Sequence, residues 1–440
     1  ESPDDLRSGV MQLELASFPI THVTLGEATR LDGQHLSVSR EQLMEAVANP
    51  AIAGVDLQVV HPGESARITQ LSDVVEPRVK VAGTGDVFPG LLGPVVSVGS
   101  GRTHRLDGLA VMISGDVPWL GASGLFVPRN NFVDTSGPGA DLSPHSGTVN
   151  LVLRLRFADG FSHDEYQRAV VVAGLRAARQ LALATVGLTP ADVTIRDLSV
   201  SQPALPRVAY AYQVQSQGVF MRTYLYGRML DELLPTLVHP NELADGAVVA
   251  GGLGGGAVKL TTWLHQNNPL VDGMYSRHGA EWNFVGVILH RGHYYQYEDK
   301  QRVALQLARS AQLLRADGVA FSLGGGGNNI TEVMLAIQEC ERLGIKTVLL
   351  AWEHGGPSGA DYPLPFAVPE AAAMVSTGSM DEPLVLPAMD RVFGDSTIRV
   401  RPELGGVPIP VDGPLDLSNG YELFGGANPV GWQRTGCIEY

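Results

Sequence analysis

Several side chains that can exchange protons near neutral pH stand directly after short apolar runs of this sequence. Glu353 and His354 follow one such run, His290 follows another, and His265 opens a row of polar residues. Imidazole and carboxylate groups are the usual acids and bases of enzyme sites. We therefore predict that His265, His290, Glu353 and His354 act as acid/base groups or orient a substrate.

A glycine run offers a second kind of chemistry, the binding of an anion. Four glycines and two asparagines precede a segment of helical spacing that begins at Ile330. Backbone N–H groups at a helix N-terminus attract carboxylate or phosphate. The run is neither a Walker loop nor a dinucleotide fingerprint, so a flexible loop with Asn329 as helix cap stays an alternative. The predicted anion-binding residues are Gly324, Gly325, Gly326, Gly327, Asn328 and Asn329.

Other polar side chains that could contact a substrate are dispersed along the chain. A row of consecutive amides precedes Pro269, which favours an extended bend. Such rows often satisfy the hydrogen bonds of a loop, and substrate contact is the alternative interpretation. The predicted substrate contacts outside the glycine run are Gln266, Asn267, Asn268, His104 and Thr377.

A metal site is the third possibility that these residues raise. His290, His293 and His354 could converge on zinc or iron from neighbouring loops. Their spacing differs from the helical His-Glu-x-x-His pattern, and hydrogen-bonded histidines are commoner than ligands. We expect no metal and keep these three histidines as the candidate ligands. Of the two cysteines, Cys340 falls in a helical pattern and is predicted to be a packing residue.

The elements that would position these residues form an α/β pattern. Short apolar runs alternate with helical spacing in the second half, which is typical of a parallel sheet buried on both faces. Polar residues after such strands meet at one edge of the sheet, where ligands bind. The predicted strands are 246–250, 284–289, 318–323, 347–351 and 373–376, and the predicted helices are 299–314 and 330–343.

We predict three regions along the chain. Residues 1–147 read as a β-rich N-terminal domain that ends in a long Gly- and Pro-rich loop. Residues 148–244 form an α+β segment with a strand at 149–157 and a helix from 162 to about 185, opened by a capping box. Residues 245–440 form a C-terminal α/β domain whose sheet end carries the pocket.

Composition limits the partners and the compartment. The formal net charge is −15, which argues against nucleic acid and anionic membranes as binding partners. We find no apolar stretch long enough to span a bilayer and no disulfide framework. An intracellular, cytoplasmic protein is the expectation from these features. We also expect an oligomer that binds a small molecule.

The order of motifs over nearly the whole chain resembles a known family. It resembles the proprotein subunit of component B of the glycine, sarcosine and betaine reductases, relatives of the D-proline reductase proprotein. The matching segments are His61-Pro-Gly-Glu, Arg67-Ile, Asp73-Val-Val-Glu-Pro77, Gly99-Ser-Gly-Arg-Thr-His104-Arg-Leu, Leu205-Pro-Arg-Val-Ala-Tyr-Ala-Tyr-Gln213, Tyr224-Leu-Tyr-Gly227, Leu234-Pro-Thr-Leu, Asp245-Gly-Ala-Val-Val, His265-Gln-Asn-Asn-Pro269, Asn283-Phe-Val-Gly-Val and Gly344-Ile-Lys-Thr-Val-Leu.

The resemblance implies a precursor that cleaves itself before a cysteine and converts it to a pyruvoyl group. The pyruvoyl carbonyl then condenses with the substrate amine, and a selenocysteine of a partner subunit cleaves the C–N bond. In this sequence the aligned position is Leu253, and residues 251–260 contain no Cys, Ser or Thr. Pyruvoyl formation needs a thiol or hydroxyl there, so we predict an uncleaved chain without this cofactor.

Two classes of function follow from the resemblance and its departure. The chain could be the substrate-binding subunit of a heteromeric complex for C–N or related bond cleavage on a small amino-acid-like substrate. Its partner would then be a selenoprotein-B-like subunit that supplies a thiol or selenol. Alternatively, it could be a non-catalytic scaffold or regulatory partner of that subunit. A metal-dependent lyase or hydrolase is a third possibility.

Overall fold

The structure is a computed structural model, and the α/β fold class predicted from the sequence is confirmed. It describes residues 11–118, 131–216, 222–251, 256–356, 358, 364–379, 381–400 and 407–432. Leu253, Cys437 and part of the predicted loop at 121–147 lie outside these residues. Among the described helices, none is both long enough and apolar enough to cross a membrane.

The strands vary in length from two to nine residues. They are β1 (Leu13–Pro19), β2 (His22–Gly26), β3 (Arg30–Asp32), β4 (His35–Ser39), β5 (Ile52–Val60), β6 (Ala66–Thr69), β7 (Leu71–Val75), β8 (Arg78–Ala82), β9 (Gly101–Asp107), β10 (Leu109–Ser114), β11 (Phe132–Asp134), β12 (Val149–Phe157), β13 (Asp192–Arg196) and β14 (Arg207–Val214). The chain continues with β15 (Arg222–Leu225), β16 (Arg228–Met229), β17 (Thr236–Val238), β18 (Val248–Gly251), β19 (Asn283–Arg291), β20 (Gly318–Ser322), β21 (Lys346–Glu353), β22 (Met374–Ser379), β23 (Leu384–Leu386), β24 (Arg391–Phe393), β25 (Thr397–Val400), β26 (Val407–Pro410) and β27 (Leu415–Leu417).

The α-helices mostly cover sheets. They are α1 (Arg40–Val47), α2 (His163–Ala182), α3 (Pro240–Ala244), α4 (Thr262–Gln266), α5 (Pro269–Ser276), α6 (Tyr297–Leu313) and α7 (Asn329–Arg342). The predicted capping box at the start of α2 is present, because Ser162 and Glu165 exchange hydrogen bonds with each other's backbone N–H groups. Cys340 is buried within α7 as a packing residue, and burial raises the pKa of its thiol to about 12.

A six-stranded sheet in the order β17-β19-β14-β20-β21-β22 forms the centre of the second half. All its strands are parallel except β17, which pairs antiparallel with β19 at the edge. Alternation along β14 buries Ala209 and Ala211 against α6 and α7, and Tyr210 and Tyr212 on the opposite face. Burial on both faces explains the continuous apolar runs that the sequence shows.

The N-terminal half contains two four-stranded sheets, β13-β1-β9-β8 and β5-β12-β10-β7. Helix α2 packs on β7 and β10 and shares a hydrophobic core with both sheets. The C-terminal segment returns to this half, where β24 pairs with β6. Arg67 holds the C-terminal segment against the N-terminal half, because its buried guanidinium binds Asp134 and donates to the carbonyls of Pro387 and Val411.

One sequence prediction about the sheets needs correction. The predicted strand at 246–250 is β18, but it pairs antiparallel with β15 in a separate three-stranded sheet. The central position in the parallel sheet belongs instead to β14, whose tyrosines interrupt the aliphatic pattern used for prediction. Strand β13 joins an N-terminal sheet and β14 joins the parallel sheet. The three predicted regions stay a prediction.

Candidate functional site

The glycine run lies at the carboxyl edge of the parallel sheet, and β14 anchors it there. Gln213 accepts hydrogen bonds from Gly324 N at 3.1 Å and from Asn329 Nδ2 at 3.0 Å. Gln215 donates to the carbonyl of Gly324 and, at 2.7 Å, to the carbonyl of Val258. Two glutamines at the end of one strand therefore fix both ends of the loop.

Helix α7 begins at this loop without a side-chain cap. The N-cap residue is Asn328, whose side chain makes no capping hydrogen bond. The sequence interpretation of Asn329 as the cap is wrong, because its amide points back to the carbonyl of Gly325 at 2.5 Å. The helix N-terminus therefore lacks a side-chain cap, while the carbonyls of Gly327 and Asn328 accept from Ile330 N at 3.0 Å and Thr331 N at 3.2 Å. The positive end of the helix dipole favours a nearby anion.

The ring of Trp352 packs against the glycine run. A β-carbon at Gly326 would lie 3.3 Å from Trp352 Cη2 and 4.0 Å from His354 Cδ2, so a larger residue there would crowd both rings. Trp352 is 5% exposed, and its Nε1 has no hydrogen-bond partner among the described residues. This buried N–H donor beside the loop has no partner within the described part of the chain, and burial without a partner costs free energy.

His354 joins two distant parts of the chain at the same edge. Its Nδ1 lies 3.2 Å from Asp381 Oδ1, and its Nε2 lies 2.6 Å from the hydroxyl of Tyr421. Asp381 is held in turn by the backbone N–H groups of Gly355 and Gly356, at 2.7 and 2.9 Å. Gly324–Asn329, Trp352, His354, Asp381 and Tyr421 make up what we call the sheet-edge site.

Two of the predicted substrate contacts, Gln266 and Asn267, bind residues of the N-terminal half, and a third, Asn268, caps α5. Gln266 exchanges hydrogen bonds with the backbone of Glu76, at 3.0 and 3.2 Å. Asn267 Oδ1 accepts from Arg78 Nη2 at 2.7 Å. Asn268 caps α5 through two backbone N–H groups. These three residues with Glu76 and Arg78 form what we call the amide clamp.

His265 and His104 are buried away from the glycine run. His265 lies on the tyrosine face of the sheet, with Nδ1 2.7 Å from the hydroxyl of Tyr212, and burial lowers its pKa to about 3. His104 belongs to β9, where Nδ1 lies 2.9 Å from Thr185 Oγ1 and burial lowers its pKa. The predicted roles of His265 and His104 stay predictions. The hydrogen bonds observed for both histidines join parts of the fold to each other.

The remaining predicted residues do sit at the ends of sheet strands. His290 is buried near the end of β19, its ring nitrogens have no hydrogen-bond partner among the described residues, and burial lowers its pKa to about 3. Glu353 ends β21, and Thr377 lies in β22 with its carbonyl bound by Asn428 at 2.6 Å. Burial lowers the pKa of His293 to about 4. Nowhere in the described ranges do three His, Cys, Asp or Glu side chains form a metal-binding group.

Comparison with known proteins shows which family the chain resembles. A family model for glycine/sarcosine/betaine reductase component B subunits matches residues 11–437. The chain belongs to this family. No solved structure matches it.

This chain is similar over most of its length to several curated members of the component B family. It is 35% identical over 442 residues to glycine reductase complex component B subunits alpha and beta of Acetoanaerobium sticklandii, covering 98% of this chain and 100% of the relative. It is 35% identical to sarcosine reductase complex component B subunit alpha of Peptoclostridium acidaminophilum, covering 87% and 89%. Betaine reductase complex component B subunit alpha of the same organism is 30% identical, covering 98% and 100%.

Residues 251–260 of this component B family member contain no Cys, Ser or Thr. The nearest hydroxyls downstream belong to Thr261 and Thr262, and both are fully buried. Thr261 caps α4 by accepting from Leu264 N at 3.1 Å. Thr262 donates to Asp73 Oδ2 at 2.6 Å and accepts from Ala250 N. Both hydroxyls are already engaged in holding the local structure.

Several groups at or around the sheet-edge site carry weak or no signals in the sequence. Gln213 and Gln215 lie at the end of β14, whose alternating Ala and Tyr residues do not form an aliphatic run, so the positions of apolar runs do not predict them. Trp352 stands next to two predicted residues and could have been found. Asp381 and Tyr421 carry no local signal, because only the fold brings them to His354.

Proposed function

We propose that this chain works uncleaved and without a pyruvoyl group, as the substrate-binding subunit of a heteromeric reductase-like complex. Its ligand would be a small amino-acid-like molecule, and the complex would cleave a C–N or related bond. The names of its relatives, which describe components of glycine, sarcosine and betaine reductase complexes, support this assignment. A selenoprotein-B-like subunit would supply the thiol or selenol.

One observation carries the proposal: a helix N-terminus without a side-chain cap and a buried indole N–H that is unpaired within the described residues lie at one glycine loop. Helix α7 has 14 residues, so its dipole is fully developed at Asn328. Trp352 Nε1 adds a directed hydrogen-bond donor beside Gly326. A carboxylate accepts hydrogen bonds only, so this end of the sheet-edge site matches the carboxylate of an amino-acid-like ligand.

The absence of a pyruvoyl group is supported by the residues around the aligned segment. Residues 251–260 contain no thiol or hydroxyl, and the buried hydroxyls of Thr261 and Thr262 are bound to other groups. Without an electrophilic carbonyl, the substrate would be held and presented by hydrogen bonds alone. The nucleophile would then come entirely from the partner subunit.

The state of the chain is tested by mass spectrometry of the purified protein under denaturing conditions. We expect one intact polypeptide that does not react with phenylhydrazine, a trap for ketoacyl groups. Two fragments divided near residue 253, or a hydrazone on the new N-terminus, would contradict the uncleaved state. A pyruvoyl-containing relative treated in parallel serves as the positive control.

Ligand binding is tested with Asn328→Asp and titration calorimetry, using glycine and its N-methylated derivatives as probes. An aspartate at the N-cap would cap α7 and would repel a ligand carboxylate. We expect affinity to fall at least about tenfold, while the free energy of unfolding stays equal or rises. Loss of both affinity and stability would indicate a structural role for Asn328.

The scaffold alternative makes a different prediction for the same variant. If the chain only supports its partner subunit, Asn328→Asp leaves both complex formation and turnover of the reconstituted complex unchanged. If the chain binds substrate, complex formation persists and turnover falls. Measuring the two quantities on the same preparation separates the two functions.

A further inference from the structure

We propose that the outer edge of β13 is the interface through which two copies of this chain form a two-fold symmetric dimer. The proposal concerns the assembly of the chain and not the ligand of the sheet-edge site, so it goes beyond the proposed function. It follows from the position of β13 in its sheet, from the exposure of its side chains and from the order of residues along the strand.

Strand β13 lies at one end of the sheet β13-β1-β9-β8, and β1 is its only partner among the described strands. One row of its backbone N–H and C=O groups therefore has no strand beside it in the described part of the chain. Val193, Thr194 and Ile195 form the middle of the strand. All three are β-branched and favour strands, so this edge is a template for a further strand.

Other sheet edges in the described structure carry features that discourage pairing. At the opposite end of the same sheet, the register of β8 against β9 shifts after Lys80. The edge strand of the parallel sheet, β17, has three residues and stands between Pro235 and Pro240. Bulges, prolines, lysines and short strands are the usual protection of an edge. Strand β13 contains neither lysine nor proline, and it pairs with β1 without a register shift.

The face of the sheet beside this edge is apolar and exposed. Ile195 is 59% exposed and Val193 is 37% exposed. Val193 stands in register with Ala16, and Ala16 stands in register with His104, so the three side chains share one face. His104 binds Thr185 at 2.9 Å, which places the turn between α2 and β13 on the same face. That turn adds the exposed side chains of Leu183, Val186 and Leu188.

The order of residues in β13 identifies a second copy as the partner. The strand Asp192-Val-Thr-Ile-Arg196 is self-complementary when two copies run antiparallel with Thr194 opposite Thr194. Val193 of each copy then lies opposite Ile195 of the other. Directly opposed apolar side chains stabilise a strand pair. A two-fold axis through the pair of threonines makes the contact isologous and closed, as in most homodimers.

The charges at the ends of β13 favour the antiparallel alignment. Asp192 is exposed and forms no ion pair with any described residue, and the alignment sets it opposite Arg196 of the other copy. Arg196 is buried and binds Asp272 at 2.5 Å, so its guanidinium is held near this edge. An in-register parallel alignment would instead set Asp192 against Asp192, and opposed like charges are destabilising.

The register is tested by disulfide cross-linking of the purified full chain. Thr194→Cys places two thiols on the two-fold axis with Cα atoms about 4.5 to 5.5 Å apart, which is within the range of a disulfide. Asp192→Cys is the matched control, because residue 192 of the two copies would be separated by roughly 14 Å along the strands. Both substitutions are made in a Cys437→Ser background, in which the other thiol, Cys340, is buried. We expect mild oxidation to yield a cross-linked dimer of Thr194→Cys and none of Asp192→Cys.

The interface is tested independently by sedimentation equilibrium of proteins without added cysteines. Wild-type protein should sediment with twice the mass of one chain. Ile195→Lys should raise the dissociation constant of the dimer at least about a hundredfold, because symmetry places each substitution in the interface twice. Val385→Lys is the control for an exposed strand residue elsewhere, since Val385 is 72% exposed on β23, and it should change the constant by less than about twofold.

Several results would overturn the proposal. A wild-type monomer up to tens of micromolar would leave the edge of β13 to a different subunit. Equal cross-linking of the two cysteine variants, or none with either, would contradict the register. An Ile195→Lys protein that stays dimeric would place the dimer contact elsewhere. Circular dichroism of each variant shows whether the chain is folded, so loss of the dimer is distinguished from unfolding.

Discussion

The amide clamp and the sheet-edge site are both rich in hydrogen-bonding side chains, but they differ in what those side chains bind. In the clamp, Gln266 and Asn267 bind groups of the N-terminal half, including the buried Glu76 and Arg78, although Asn267 Nδ2 and Asn268 Nδ2 have no partner among the described residues. At the sheet edge, α7 starts without a capping side chain and Trp352 Nε1 is unpaired in the described part of the chain.

The difference identifies where a ligand can gain free energy. Buried polar groups that already have partners contribute to stability and specificity of the fold. Groups that are buried without partners gain a hydrogen bond when a ligand arrives, so the ligand recovers part of their desolvation cost. Polarity alone therefore does not mark a site, whereas unsatisfied polarity at a strand end does.

The largest expected effect is the loss of Arg78 from the amide clamp. Arg78 is fully buried and binds Glu76 at 2.5 Å, the carbonyl of Ala244 and Asn267. Arg78→Met would leave the carboxylate of Glu76 buried without its partner. We expect the free energy of unfolding to fall by about 3–5 kcal/mol, measured by urea denaturation.

An exposed arginine supplies the control for this prediction. Arg309 lies on the exposed side of α6 and binds only the side chain of Gln312 in the described structure. Arg309→Met should change the free energy of unfolding by less than about 0.5 kcal/mol. Comparable losses for both variants would mean that the clamp contributes nothing special to stability.

The second effect is a loss of stability in acid, which comes from buried histidines outside the sheet-edge site. Burial lowers the pKa of His145, His265 and His290 to about 3, whereas an unfolded histidine has a pKa near 6.5. The unfolded chain therefore binds more protons below pH 6.5. The three buried histidines make their full contribution to the free energy of unfolding above that pH, and this contribution is lost as the pH falls toward about 3.

The size of this acid effect can be measured by substituting one histidine. Each group contributes up to about 1.4 kcal/mol per pH unit in this window. His265→Gln can still form a hydrogen bond with Tyr212 and should flatten the dependence of unfolding free energy on pH by about that amount. Urea midpoints between pH 7 and pH 5 test this, and an unchanged slope would show that His265 is not buried as a neutral group.

The parallel sheet was largely predictable, because apolar runs buried on both faces leave a strong pattern. Strands β19, β20, β21 and β22 match predicted runs within a few residues, as do helices α6 and α7. Strand β14 was missed because alternating Ala and Tyr do not look aliphatic, although one face buries the alanines and the other the tyrosines. An aliphatic pattern does not predict a strand whose two faces pack with different kinds of side chain.

The candidate site was predictable only in part, for a related reason. The positions that follow predicted strands include Gly324–Asn329 and His354. A parallel sheet brings the carboxyl ends of its strands to one edge regardless of their distance in sequence, so these residues were predictable. Asp381 and Tyr421 arrive from irregular segments, and no periodicity places them. The amides at 266–268 were ambiguous, since a capping or clamping amide and a substrate-binding amide are the same residue types.

The smallest expected effect is a difference in stability between variants of two asparagines that precede helices. One asparagine belongs to the amide clamp and the other to the sheet-edge site. Asn268 Oδ1 accepts from Leu270 N at 3.0 Å and Val271 N at 3.2 Å, whereas Asn328 makes no capping hydrogen bond. Asn268→Ala should cost about 1 kcal/mol of unfolding free energy. Asn328→Ala should cost less than about 0.5 kcal/mol. Urea denaturation of both variants at pH 7 makes the comparison, and equal losses would mean that Asn328 caps α7 in solution and that its helix N-terminus is not reserved for a ligand.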